Sequence, residues 1–594
     1  MSENTFLPIT LEEVKRLGWS QVDIVIVSGD AYVDHPSFGT AVIGRVLEAA
    51  GYRVAIIPQP NWRDDLRDFR KFGQPRLFFG VTSGVMDSMV NHYTAARRLR
   101  HDDAYTPGGT SGFRPDYATY VYSRILKQLY PDTPVVIGGV EASMRRLAHY
   151  DYWSDTLKPS ILAECPADLL VYGMGEKTMV KVANMLADNE PLYKLYTIPQ
   201  VAYVGSNVPR AKDLIVLHSF EECKKSKRLH AENFHRIEVE SNKIEAAMLV
   251  QPIGDKFVVV NPPEPPMTTA EMDASFDLPY MRQPHPKYKK RGSVPAFEMI
   301  KNSVNIHRGC FGGCSFCTIS AHQGKQIASR SDESIMREIK TMVSNPDFNG
   351  VISDLGGPSA NMFRMSGKNK DLCRKCPRYS CIHPNICKNL NSDHTPLLEL
   401  YKKVKAVPGI KHVYIGSGIR CDLFTEYNNG YEYFRQVVLH HVGGRLKVAP
   451  EHTSASVLGY MRKPKFDLFL DTKARFDAIC RQAGVRFQLI PYFISSHPGC
   501  QLKDMADLAV EMKRLGYRLE QIQDFTPTPM TLSTEMYYTG INPETMQPIY
   551  VAKTPNEKKE QNLMFFYYKR ESQPQIRQLL HNHHLDAYIP KLLK

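Results

Sequence analysis

The chain has 594 residues, 43% of them apolar and 23% charged, with a net charge of +13. That length exceeds one hydrophobic core and implies roughly two to four domains. The composition excludes a disordered chain, no apolar run is long enough to span a bilayer, and MSENTFLPIT carries no secretory pattern, so a cytoplasmic protein is expected.

The first 200 or so residues alternate β-branched runs with helical patterns. Strands are predicted at Val22–Ser28, Val54–Pro58, Leu77–Val81, Val135–Val140 and Leu169–Tyr172, with a helix over Ala41–Ala50 closed by Gly51. This βαβ rhythm predicts a doubly wound parallel sheet over 1–205, with ligands beyond the carboxyl ends of its strands. Three of those ends stand out: Asp30–Gly39, Gly138-Gly139-Val140-Glu141 and Gly173-Met174-Gly175-Glu176.

Residues 206–295 are expected to be a connector, with a Pro-, Lys- and Arg-rich stretch at 262–291. The run Lys287-Tyr288-Lys289-Lys290-Arg291 and the net positive charge permit nucleic-acid binding, although a solvated linker explains the run as well.

A second βα series is predicted over 296–540. Its strands are Val304–Arg308, Val351–Leu355, His412–Ile415, Leu446–Ala449, Phe487–Phe493 and Gln521–Phe525. Residues 541–594 read as a short helical appendage. Twelve cysteines in such a chain point to metal ligation rather than disulfides.

Directly after the first strand of this series comes Arg308-Gly309-Cys310-Phe311-Gly312-Gly313-Cys314-Ser315-Phe316-Cys317. Three thiolates on a tight loop can hold three irons of a four-iron cluster and leave the fourth open to an exogenous ligand. The glycines let the backbone curl round a bulky inorganic group. A zinc loop would need a fourth ligand, and inert buried thiols would not need this glycine setting.

A second group, Cys373, Cys376, Cys381 and Cys387, falls in an insertion at about 365–395. Its spacing suits an auxiliary iron–sulfur cluster and a structural zinc equally. His383 and His394 are reserve ligands. Cys165, Cys223, Cys421, Cys480 and Cys500 are isolated and expected in the core.

The C-x3-C-x2-C loop with Phe316 before its third cysteine resembles the signature of the radical S-adenosylmethionine (radical SAM) superfamily. The stretches PHPKYKKRGSVPAFEMIKNSVNIHRGCFGGCSFC, VAPEHTSASVL and QDFTPTPMTLSTEMYYTG, with the four-cysteine insertion, resemble its YgiQ family over roughly residues 10–560. The resemblance implies a partial (β/α)6 barrel and a [4Fe-4S] cluster on Cys310, Cys314 and Cys317. It also implies reductive cleavage of SAM to a 5′-deoxyadenosyl radical, fed by a low-potential donor such as a flavodoxin or ferredoxin. The candidate SAM contacts it suggests are Phe316, Gly356, Gly357, Arg420 and Glu451. The Gly356–Gly357 turn matches only in part, since Pro358 stands where the family carries an acid.

The N-terminal sheet resembles the cobalamin-binding domain that precedes many such barrels. The D-x-H-x-x-G motif is not met, because Asp34 and His35 are adjacent. Many such domains lack that histidine, so its absence does not decide; bound cobalamin is ranked below a substrate-facing or structural role. The resemblance supplies no substrate. An RNA-modifying enzyme of this class and a non-catalytic iron–sulfur sensor or scaffold both remain open. A reactive radical needs a cover, so the Asp30–Gly39 and Gly138–Glu141 turns are expected to face the cysteine loop across a shared cavity.

Overall fold

The computed structural model describes residues 5–593. Nine strands form the first sheet: β1 (Ile24–Ser28), β2 (Val54–Pro58), β3 (Phe78–Thr82), β4 (Val135–Gly138), β5 (Leu169–Val171), β6 (Val201–Gly205), β7 (Leu214–Val216), β8 (Met248–Ile253) and β9 (Lys256–Val260), in the order β7-β8-β9-β6-β5-β4-β3-β1-β2. The five strands from β2 to β5 in that order pair in parallel. Alternate residues of these strands enter different apolar clusters: Val25, Val27, Phe79 and Ile137 on one face, Ile24, Ile26, Phe78 and Val136 on the other. A sheet covered on both faces explains why its strands read as continuous apolar runs. Helices Gly39–Ala49 and Glu176–Ala187 cover one face, through Leu47, Met179 and Val182. Helix Ala118–Leu129 covers the other, through Tyr122 and Leu126.

Two expectations need correction here. Residues 206–260 are not a connector, because β7, β8 and β9 extend the sheet past β6; β5–β6, β6–β9 and β9–β8 pair antiparallel, and β8–β7 pairs in parallel. The predicted strand Val135–Val140 stops at Gly138, and helix Gly139–Met144 begins at once. Gly139 has φ +81, and a Cβ there would stand 2.4 Å from Thr82 Oγ1, so only glycine allows this abrupt start.

The later stretch, 262–291, is tied down rather than loose. Gln283–Pro284 pairs antiparallel with Val33–Asp34, and Tyr32 N donates to the Tyr288 hydroxyl at 2.9 Å. Within the basic run Tyr288 is buried and Arg291 lies over the Phe113 ring at 5.0 Å.

The second half supplies β10 (Ser303–Asn305), β11 (Val351–Ile352), β12 (Asp354–Gly356), β13 (His412–Val413), β14 (Arg445–Glu451), β15 (Gln488–Ser495) and β16 (Gln521–Asp524). β10 pairs with β12, β11 with β13, β14 with β15 and β15 with β16, all in parallel. Val304, Leu355, Val413, Leu446 and Phe493 from these strands share one apolar cluster. Met564, Phe565, Ile576 and Leu580 belong to the same cluster, so the C-terminal helices complete this core instead of hanging off it. Tyr150 of the N-terminal half also enters it, stacked on Tyr538 at 4.7 Å.

Candidate metal and cofactor site

The cysteine loop leaves β10 through His307 and Arg308 and runs into helix Thr318–Gln323. Cys310 is buried; Cys314 and Cys317 are half-buried. The three thiols lie close enough that burial and then the charges of Cys314 and Cys310 push Cys317 up to about 12. Such thiols gain most from a bound cation, which stabilises the thiolates.

Around the loop there is no room for side chains at its glycines. A Cβ on Gly309 would sit 2.0 Å from the Gln326 carbonyl oxygen, and one on Gly313 would sit 2.4 Å from that of Tyr379. Both glycines have positive φ, +87 and +63. A Cβ on Gly312 would meet Arg420 Nη1 at 2.6 Å and Cys310 Sγ at 3.3 Å.

The loop is fastened from three sides. Ser380 Oγ and Cys381 N both donate to the Phe311 carbonyl, each at 3.1 Å. Ser315 N donates to the Met461 carbonyl at 3.2 Å. Ser533 N donates to the Ser315 carbonyl at 2.9 Å, and the two hydroxyls lie 2.8 Å apart. His497 locks this last anchor. Its Nδ1 lies 2.8 Å from the Pro498 carbonyl and its Nε2 2.7 Å from Ser533 Oγ. A neutral ring donates through the first and accepts through the second, and burial holds its pKa down at about 3.

Arg420, a candidate SAM contact, already has partners here. Asp422 takes it in two hydrogen bonds of 3.0 and 2.6 Å, and Nη1 donates to Cys314 Sγ at 3.2 Å. The guanidinium therefore faces the thiols. Glu451 is buried with φ +68; burial raises its pKa, and Lys463 Nζ at 3.7 Å is its cationic neighbour. Gly356 and Gly357 close β12. A Cβ on Gly357 would stand 2.5 Å from His307 Cε1, so this backbone lies flat on a buried ring. Phe316 packs edge-on to His497, with ring centroids 6.2 Å apart.

Cys373, Cys376, Cys381 and Cys387 gather in the insertion directly behind the loop. Their charges act on one another, and burial, first among the causes, pushes Cys381 up to about 11. Lys325 Nζ reaches in among them and donates to the Cys376 carbonyl at 3.2 Å. Among the described residues, no three Cys, His, Asp or Glu side chains draw together tightly enough to grip a single ion. A four-iron cube takes each thiolate on a separate iron and does not require that closure. His394 is not a reserve ligand: Nδ1 lies 3.1 Å from the Asn428 carbonyl, and Asn361 Nδ2 lies 3.2 Å from Nε2.

One cavity, of about 290 Å³, runs along the carboxyl edge of the sheet. Pro36, Ser37, Gly138 and Val140 line one side of it, and Arg308, His322 and Gln323 the other. The N-terminal turns thus share a cavity with residues on either side of the cysteine loop; Cys310, Cys314 and Cys317 do not line it. A buried ion pair, Arg308–Glu176, joins the two halves at this point. His35 does not line the cavity; Ser37 N donates to its Nδ1 at 3.1 Å, and it lies against Phe297. The sequence reading gave no role to Arg308, His322 or Lys325, although Arg308 opens the cysteine stretch; His322 and Lys325 carry no local motif.

Comparison with known proteins bears on the whole chain. The family described as Radical SAM N-terminal matches residues 6–303, and a domain of unknown function (DUF3362) matches residues 520–586. A UPF0313 protein of Porphyromonas gingivalis is 56% identical, covering 99% of this chain and 94% of its own. The chain belongs to the UPF0313 family. A further UPF0313 protein, from Bacteroides thetaiotaomicron, is 57% identical over 96% of this chain and 95% of its own. Among solved structures, the radical S-adenosylmethionine methyltransferase TsrM of Kitasatospora setae, with cobalamin and a [4Fe-4S] cluster bound, aligns with 15% identity and a TM-score of 0.48. That alignment covers 86% of this chain and 76% of TsrM. The cobalamin-dependent S-adenosylmethionine radical enzyme OxsB aligns with 11% identity and a TM-score of 0.49, over 97% of this chain and 77% of its own. No helix among the described residues is long and apolar enough to cross a membrane.

Proposed function

We propose that this UPF0313 protein is a radical SAM enzyme, with Cys310, Cys314 and Cys317 holding a [4Fe-4S] cluster and with SAM at the open iron. The observation that carries this reading is the loop itself. Three thiols stand on one turn whose glycines admit no Cβ, with a guanidinium aimed at them. When bound, the cluster supplies the electron that cleaves SAM.

The chain's own residues do the rest. Arg420, held by Asp422, places a positive charge beside Cys314 and offsets the charge of the thiolates. His497 and Ser533 fix the loop's outer strand. Glu451 and Lys463 remain to orient the polar part of a ligand, and the Gly356–Gly357 backbone offers carbonyls to an amino group. The sheet edge covers the loop's flank and keeps water from a reactive intermediate. No step is assigned to cobalamin, because His35 is turned away from the sheet-edge cavity.

The test is anaerobic reconstitution of the wild type and of the variant with Cys310, Cys314 and Cys317 all changed to alanine. The wild type is expected to bind about four irons at this loop and to release 5′-deoxyadenosine under reduction. The triple variant is expected to lose both. Iron at the loop without SAM cleavage would favour the sensor reading, and unchanged iron in the triple variant would overturn the assignment.

A further inference from the structure

Between the sheet and helix Thr318–Gln323 lies a second cavity, of about 160 Å³. Arg146 lines it with 3% of its surface exposed. Nη1 donates to the Ser143 carbonyl at 2.7 Å and Nη2 to Ser241 Oγ at 3.4 Å, while Nε has no partner. The guanidinium lies over the Tyr172 ring at 4.8 Å. Among the described residues, no carboxylate lies within ion-pair distance of it. The other cations of the cavity are all engaged: Lys177 by Glu271, Lys243 by Glu240, Arg308 by Glu176, and Lys325 by backbone carbonyls. Of the two acids in the wall, Glu240 is held by Lys243 at 2.6 Å and by Ala247 N at 2.8 Å, and Glu264 pairs with Lys177 and Lys181.

A buried charge without a counter-charge is costly, and it persists where something else compensates it. The cavity's place in the fold suggests what that is. Ser241, Asn242, Ser320 and Ala321 line it and also line the smaller cavity that holds Cys314 and Cys317. Gly173, Met174 and His322 line it and also line the sheet-edge cavity. It is therefore the middle chamber between the sheet edge and the cysteine thiols.

We propose that Arg146 anchors an anionic oxygen group of the substrate, a phosphate or a carboxylate, in this chamber. Its planar fork suits either group, Ser241 Oγ adds a hydroxyl beside it, and the Tyr172 face fixes the plane of the guanidinium. The rest of the substrate then extends past Ser241 and Ser320 toward Cys314 and Cys317. Its use as a substrate subsite rests on the radical SAM reading; the anion binding does not.

The experiment is titration of the full-length protein with inorganic phosphate and, separately, with acetate, against chloride at equal ionic strength, read by calorimetry and thermal shift. It includes Arg146→Met, Arg146→Lys and the triple-alanine cysteine variant. One of the two anions is expected to bind and raise Tm. Arg146→Met should lose about tenfold or more in affinity, and Arg146→Lys should retain part of it. Without anion, Arg146→Met should melt no lower than the wild type, since it removes an uncompensated charge. The phosphate and acetate arms show which oxyanion is preferred. Binding that survives in the triple-alanine variant keeps the anchor whatever becomes of the cluster. No effect of either anion beyond chloride, or equal binding by Arg146→Met, overturns the proposal. Should Arg146→Met fail to fold, the wild-type and Arg146→Lys titrations decide it.

Discussion

The ion pair between Arg308 and Glu176 ties the first residue of helix Glu176–Ala187 to the residue two before Cys310. Its side chains are 8% and 4% exposed, so neither charge has much water to fall back on. Changing Glu176 to Gln keeps the shape and removes the charge. Breaking one partner of a buried pair costs about 3–5 kcal/mol. Gln still accepts one hydrogen bond, and Arg308 keeps its place over the Phe276 ring at 5.0 Å, so the low end applies. About 3 kcal/mol is roughly a hundredfold in the equilibrium between the docked loop and its open form. Hydrogen exchange of the amides of Gly309, Cys310 and Ser315 reads that equilibrium locally, since each has a defined acceptor in the closed form. Protection is expected to fall about a hundredfold in Glu176→Gln. It should largely recover when Glu176 and Arg308 are both changed to Met, because replacing a whole buried pair by apolar groups is often neutral. Protection within threefold of wild type in the single variant, or a double variant as poor as the two singles combined, would refute the reasoning.

Gly313→Ala, with φ +63 and a Cβ 2.4 Å from the Tyr379 carbonyl oxygen, should push the insertion off the loop and lower reconstituted iron by at least about half, at a cost above the 1–2 kcal/mol of left-handed strain alone. Gly418→Ala, where nothing lies within 4 Å, is the control that should leave iron unchanged. Burial holds His307, His452 and His497 down at about 3. Below pH 6.5 the unfolded chain takes up these protons while the folded chain does not, so stability should fall as pH drops from about 6.5 toward 3. His497→Gln should reduce the loss of unfolding free energy between pH 7 and pH 5 by about 2 kcal/mol; urea unfolding of the metal-free protein at those two pH values checks this. Metal analysis of the triple-alanine variant should still find zinc or iron at Cys373, Cys376, Cys381 and Cys387. A metal-free triple variant would mean that these four are no separate site.

The parallel strands were legible because a sheet buried on both faces demands continuous apolar runs, and β1, β2 and β5 lie within two residues of where the sequence puts them. The strands added past β6 were not. β7 is half-exposed and three residues long, which leaves too little alternation to see. The loop's thiols could be found because three cysteines and three glycines within nine residues are a local pattern, visible without the fold. The contact of Arg420 with the thiols could not, since the family resemblance offers it only as a ligand contact and only the fold brings it to Cys314, 106 residues away. Arg146 has no motif at all; it stands out only when the carboxylates around it are found to be engaged elsewhere.

The anchoring of the cysteine loop also sets a timetable for biosynthesis. Ser315 meets Ser533 across 218 residues of chain. At about 5–20 residues per second, the ribosome needs roughly 10–45 s after making the thiols before it makes their last fastening. For that interval the three cysteines stand on an unfinished, accessible loop in the company of whatever oxidants and metals the cell contains. On the proposed reading, delivery of iron and sulfur belongs after synthesis, when the segment around Ser533 has closed. A chain cut short before Ser533 would keep all seven clustered cysteines and two of the loop's three fastenings, and lack the one that His497 locks.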